Sequence, residues 1–155
     1  MKKKLISVLL AALLLATACP DALAVDPYAL LYGPASGGLE ITGSIAYTPP
    51  IDVVVPSTYG GLSVVGVKAT AFFSNPALRS VSLPGTVTYV GVGAFAQSTN
   101  LTTVMAAAGL TDIGASAFSG CSLLSSISLP QSLRGIGANA FLNCAALDSL
   151  SLPSG

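Results

Sequence analysis

Few residues of this chain carry reactive side chains, and one of them sits where a nucleophile could. Cys121 lies in "SAFSGCSLL", residues 116–124, beside a glycine and between Ser119 and Ser122. A thiol in such a place could attack a carbonyl or exchange with a disulfide, but either role needs a thiolate and so a nearby base or cation. The 155 residues include no histidine. That removes the usual general base, the commonest metal ligand, and every Ser-His-Asp or Cys-His arrangement. The phrase also returns as "NAFLNCAAL", residues 139–147, with Cys144 in the place of Cys121.

Other chemistry is equally thin. The carboxylates beyond residue 24, Asp26, Glu40, Asp52, Asp112 and Asp148, are scattered, so none is paired for acid–base work or a calcium cage. Asp112 and Arg134 are placed to meet as an exposed ion pair. The pairs Gly91 with Gly93 and Gly135 with Gly137 are too short for a phosphate loop, and the stretch from Gly114 to Phe118 lacks the second glycine of a nucleophile elbow. The sequon at Asn100, Leu101 and Thr102 is a weak glycosylation signal. These observations point to no catalytic residue, no cofactor, no metal site and no enzyme.

The chain is 52% hydrophobic and 8% charged, against roughly 25% charged for ordinary soluble domains. Part of the imbalance is a leader. Lys2, Lys3 and Lys4 precede an apolar run from Leu5 to Ala18, and Ala22-Leu23-Ala24 offers the small residues of a secretory cleavage site. The run is too short to span a membrane. Cleavage after Ala24 is expected, with lipoprotein processing at Cys19 as the competing outcome. The remaining 131 residues carry Lys68, Arg79 and Arg134 against the five carboxylates, a net charge of −2. Nucleic acid and anionic membrane surfaces, which are bound through accumulated cations, are poor partners for that balance.

A strict period positions everything else. Phe72, Phe95, Phe118 and Phe141 fall 23 residues apart, each preceded by alanine. Cutting on that period gives units 62–84, 85–107, 108–130 and 131–153, in which the apolar columns align: Leu78, Leu101, Leu124 and Leu147, then Val81, Val104, Ile127 and Leu150. Such a period announces a solenoid whose coils bury their apolar edges only by stacking. Within a unit, period-2 alternation makes a short strand with Ile127 and Leu129 inward and Ser126 and Ser128 outward, ended by Pro84, Pro130 or Pro153. Gly91, Gly114 and Gly137 are read as tight turns of positive φ, and the Ala-Phe pair as one helical turn that drops the ring inside. The phenylalanines then form a structural core column.

The strings "IGASAFSGCSLLSSISLP", "VGVGAFAQSTNLTTVMAA" and "IGANAFLNCAALDSLSLP" resemble the BspA-like class of leucine-rich repeat, I-G-x-x-A-F-x-x-C-x-x-L-x-x-I-x-I-P, over residues 62–153. "VVVPSTYGGLSVVGV", residues 53–67, resembles that family's lengthened first unit. The resemblance implies a secreted or surface-exposed bacterial protein with a curved solenoid, used in adhesion or recognition rather than catalysis. The expected fold is a mainly β repeat solenoid with short helical turns: a curved array of four 23-residue units behind an N-terminal cap.

In that frame Asn75, Ser98, Cys121 and Cys144 share a column that asks for a small residue able to bond a backbone group. A disulfide or a reactive thiol is the alternative. Unit 85–107 has Ala106 for leucine and Ala107 for proline, so a void or local repacking is expected there. Lys68 stands where the other units have glycine. Residues 25–61, with Tyr28, Tyr32, Tyr47 and Tyr59 and strands at "LEITG" and "IDVVVP", are read as the cap, and 62–155 as the repeats. No C-terminal cap follows, leaving an uncapped last coil open to edge pairing.

The candidate binding face is the outward strand surface: Ser80, Ser82, Thr103, Met105, Ser126, Ser128, Ser149 and Ser151, flanked by Arg79 and Asp148. Its ligand would be a protein or a surface glycoconjugate. Two expectations of function remain, a secreted or cell-surface adhesion module and a structural remnant of a longer array.

Overall fold

The computed structural model describes residues 30–44 and 51–152. The leader, Cys19, Tyr28, Tyr47 and Pro153 lie outside the described residues.

The strands are β1 (Leu30–Ala35), β2 (Gly38–Ser44), β3 (Ile51–Val54), β4 (Thr58–Tyr59), β5 (Leu62–Val67), β6 (Leu78–Leu83), β7 (Tyr89–Val90), β8 (Thr103–Ala106), β9 (Asp112–Ile113), β10 (Ser126–Ser128) and β11 (Gly135–Ile136). They form a β-solenoid of 23-residue coils. Each of the first three coils gives one strand to each of two walls and the fourth gives one to the first wall only: β5, β7, β9 and β11 stack in parallel in one, β6, β8 and β10 in the other. The antiparallel hairpin of β1 and β2 extends the first wall by parallel pairing of β2 with β5, and β3 extends the second by pairing with β6.

A third wall carries the Ala-Phe pairs. It is not helical. Hydrogen-bonded turns such as Phe73 N to Thr70 O and Asn75 N to Phe72 O are interrupted twice per coil by left-handed residues. One such column is Thr70, Gly93, Ser116 and Asn139, with φ from 55° to 60°, and the other is Ser74, Gln97, Gly120 and Asn143, with φ from 52° to 74°. A residue of positive φ reverses the winding, so a helix cannot propagate. The reversals aim alternate amides along the solenoid axis. Thr70, Phe72 and Ser74 donate to the carbonyls of Val92, Ala94 and Ala96 in the next coil, and the same three bonds recur at each later junction.

Gly91, Gly114 and Gly137 do not adopt positive φ, which corrects the turn reading. Their column is glycine because coils touch there. A Cβ at Gly91 would lie 2.4 Å from Ala69 N, at Gly114 2.6 Å from Val92 N, and at Gly137 2.3 Å from Ala115 N. Lys68 heads this column against β2 instead, and its ammonium sits 3.2 Å from Glu40.

Inside, the rings of Phe72, Phe95, Phe118 and Phe141 stack almost parallel, with centroids 5.1, 5.2 and 5.4 Å apart. The first three are fully buried and Phe141 half-buried. The fourth coil has a described neighbour on one side only, so its column members open to solvent: Ile136 and Leu152 are exposed, and residues 147–152 form no strand. Unit 85–107 keeps the same backbone pairing despite its missing leucine. Ala106 stays in register with Leu83, and a Cβ at Gly109 would fall 1.8 Å from Gly85 O.

Candidate functional site

The repeat pattern Leu-x-x-Ile-x-Leu puts two residues, not one, between the first inward side chains. In β6, Leu78, Val81 and Leu83 are buried while Arg79, Ser80 and Ser82 reach the outside. Parallel register aligns these positions in rows across the wall. Asp52, Ser80, Thr103 and Ser126 form one row, and Val54, Ser82, Met105 and Ser128 the other. The expected face therefore exists in three coils, and β3 adds Asp52 and Val54 to it. Ser149, Ser151 and Asp148 are exposed beyond it, without strand pairing.

Hydroxyls of the adjacent column lock the coils together. Thr102 Oγ1 donates to Arg79 O at 3.0 Å and Ser125 Oγ to Thr102 O at 3.3 Å. The polar atoms of the sequon are likewise engaged, with Asn100 Nδ2 donating to Pro76 O at 2.7 Å.

Arg79 does not flank the face as a free charge. A register shift between Ile51 and Asp52 brings its guanidinium onto Asp52, where Nε donates at 2.8 Å and a second nitrogen to the other oxygen. Ser80 Oγ donates to the same carboxylate at 2.7 Å. The hydrogen bonds from Arg79 and then Ser80 pull the Asp52 carboxyl down to about 2, and Asp52 in turn raises Arg79. The reading from the sequence missed Asp52 because it lies 27 residues before Arg79, off the 23-residue period.

The expected pair of Asp112 and Arg134 does not form. Asp112 is in register with Gly135, so Arg134 is one residue out of step, and Asp112 accepts from Thr111 Oγ1 at 2.8 Å instead. On that wall Glu40 binds Lys68 and accepts from Tyr89 OH at 2.7 Å. Burial, then the Glu40 hydrogen bond, pushes the Tyr89 phenol up to about 12.

Cys121 and Cys144 are free thiols. Each donates to the phenylalanine carbonyl of the preceding coil, Cys121 to Phe95 O and Cys144 to Phe118 O, both at 3.1 Å, as Ser98 Oγ does to Phe72 O at 2.7 Å. Asn75 heads the column: its backbone N–H donates to Ser98 Oγ at 3.3 Å, and its side-chain Oδ1 accepts from Ala77 N at 3.0 Å. Burial pushes the Cys121 thiol up to about 12 and raises Cys144 as well. A thiol held protonated this way is a poor nucleophile. Among the described residues no cluster of His, Cys, Asp or Glu could hold a metal, and no helix is long and apolar enough to cross a membrane.

Comparison with known proteins matches these features to a family. Residues 65–155 match the model of the BspA type leucine rich repeat region, in six copies. A leucine-rich repeat protein of T. pallidum is 32% identical, over 82% of this chain and 70% of that one, with a TM-score of 0.69. A leucine-rich cell surface protein of Faecalibacterium prausnitzii is 28% identical over 77% of this chain (TM-score 0.67), and a leucine-rich repeat protein of Bacteroides ovatus 30% identical over 74% (TM-score 0.66). The alignments span 34% and 31% of those two longer chains. No curated protein matches. With the phenylalanine spine, the glycine contacts and the small-residue column repeating every 23 residues, the chain belongs to the BspA-type leucine-rich repeat family.

Proposed function

We propose that this chain is a non-catalytic recognition module, carried outside the cell, that binds a protein across the outer rows of β3, β6, β8 and β10. The observation that carries this reading is the row Val54, Ser82 and Met105. Val54 is 57% and Met105 52% exposed, and the half-buried Ser82 lies in register between them. Two apolar knobs flanking a small hydroxyl make a notch for an apolar side chain, and methionine adapts its shape to what enters. The surrounding hydroxyls can bond a partner's backbone without the desolvation penalty of charge. No aromatic ring lies among these strand positions to stack a sugar, which favours protein over glycoconjugate. Export rests on the leader, and the F. prausnitzii relative is described as a cell surface protein.

The test is attachment of the exported protein to intact cell surfaces. Binding should be lost when those surfaces are treated with protease, and lost with Ser126→Trp or Met105→Asp while far-ultraviolet circular dichroism stays unchanged. Binding that both variants retain would place the site elsewhere. Loss after glycosidase but not protease would make the ligand a glycoconjugate.

A further inference from the structure

β3 ends the four-stranded wall on the side of the first coil, as β10 ends it on the other. At the same end β2 extends the opposite wall beyond the first coil, but nothing among the described residues pairs with the far side of β3. Ile51 N donates to Ala77 O at 2.7 Å and Val55 N to Ser82 O at 2.9 Å. Strand alternation therefore turns the odd residues toward β6 and the backbone N–H and C=O of Asp52 and Val54 outward. These outward groups have no partner among the described residues.

We infer that β3 is a pairing edge whose occupant is β3 of a second copy of this chain, antiparallel about a twofold axis through Val53. Two residues spaced two apart with outward donors and acceptors are self-complementary. Asp52 of one copy faces Val54 of the other and the reverse, and each pair exchanges both backbone bonds. Open edges are commonly guarded by an unpaired charge or a proline. Here the single carboxylate, Asp52, is already bonded by Arg79 and Ser80 of its own chain, and β3 contains no proline. Once the leader is removed the chain carries a net charge of only −2, so repulsion between copies at long range is weak. Pairing joins two four-stranded walls into one sheet and sets two outer faces side by side, which multiplies the avidity of whatever each face binds. This inference does not depend on what that ligand is.

Sedimentation velocity of the exported protein over a concentration series tests it. The wild type should pass from monomer to dimer as concentration rises. Val54→Pro deletes only an outward donor, so it should remain monomeric with an unchanged circular dichroism spectrum, and Val54→Thr should still dimerise. A wild type that stays monomeric throughout, or a Val54→Pro variant that dimerises as well as the wild type, overturns the inference. Should Val54→Pro misfold, amide exchange of the wild type decides. Asp52 and Val54 must exchange more slowly at high concentration than at low, and rates independent of concentration overturn the pairing.

Discussion

Phe118 is closed in by a parallel ring on each side, 5.2 and 5.4 Å away, so truncating it leaves a hole that neither neighbour can fill without breaking its own contacts. Phe118→Ala should cost about 3–5 kcal/mol in denaturant unfolding. Phe141→Ala, at a half-buried position stacked on one side, should cost less. Glycine gives a sharper contrast. Gly114→Ala forces a Cβ against the Val92 amide and should lose about 1–3 kcal/mol, whereas Gly85, with nothing within 4 Å of its added Cβ, should tolerate alanine to within about 0.5 kcal/mol. Residue type alone could not separate these cases. Glycine signals either positive φ or close approach, and only the neighbouring coil shows which. Conversely, the left-handed columns hold Thr70, Ser74 and Gln97, types that do not announce that conformation. The cysteine column was legible in its small size and its need for a backbone partner, but not in its acceptor, which lies 26 residues back.

That thiol also sets a pH dependence. Cys121 ionises near 9.0 when unfolded and near 12 when folded, so the folded state favours the protonated form. Its stabilisation is complete below pH 9 and falls as pH rises toward 12, by about 1 kcal/mol at pH 10. Tyr89, raised from 10.0 to about 12, adds to the loss at higher pH. Under reducing conditions Cys121→Ser should flatten the fall in urea midpoint between pH 8 and pH 10, and an equally steep fall would remove Cys121 as its cause.

At the scale of elements, the outer rows are a product of register. Ser80, Thr103 and Ser126 align because β6, β8 and β10 pair without slip, and that much follows from the 23-residue period. β3 joins them through a bulge, with a spacing that the period does not describe. Its contribution, Asp52 and Val54, was therefore visible only in three dimensions. The wall of β5, β7, β9 and β11 was legible as apolar columns and not as strands, since two-residue strands such as Tyr89–Val90 leave no alternation to detect. The clearest check on the β3 junction is the carboxyl titration of Asp52 by NMR. It should fall near 2 in the wild type and move toward the ordinary aspartate value of about 3.9 in Arg79→Ala. An unchanged midpoint would mean that the guanidinium is not on the carboxylate.

For the whole molecule, stability is a sum over adjacent coils, and the period is its unit. Deleting 108–130 joins Ala107 to Gln131 at a position where one unit normally follows another. That variant should fold to a shorter, less stable solenoid with the β spectrum of the parent. Deleting 108–118 should instead abolish cooperative unfolding, because it puts every later column out of phase. Two deletions with equal effects would show that the 23-residue coil is not the structural unit. The ladder of rings is what both the stack and its outer face depend on. Nuclear Overhauser spectra of protein labelled only at phenylalanine ring protons address it most directly. Contacts are predicted between Phe72 and Phe95, Phe95 and Phe118, and Phe118 and Phe141, with none between Phe72 and Phe118. Missing neighbour contacts, or a contact that skips a coil, would contradict the stack.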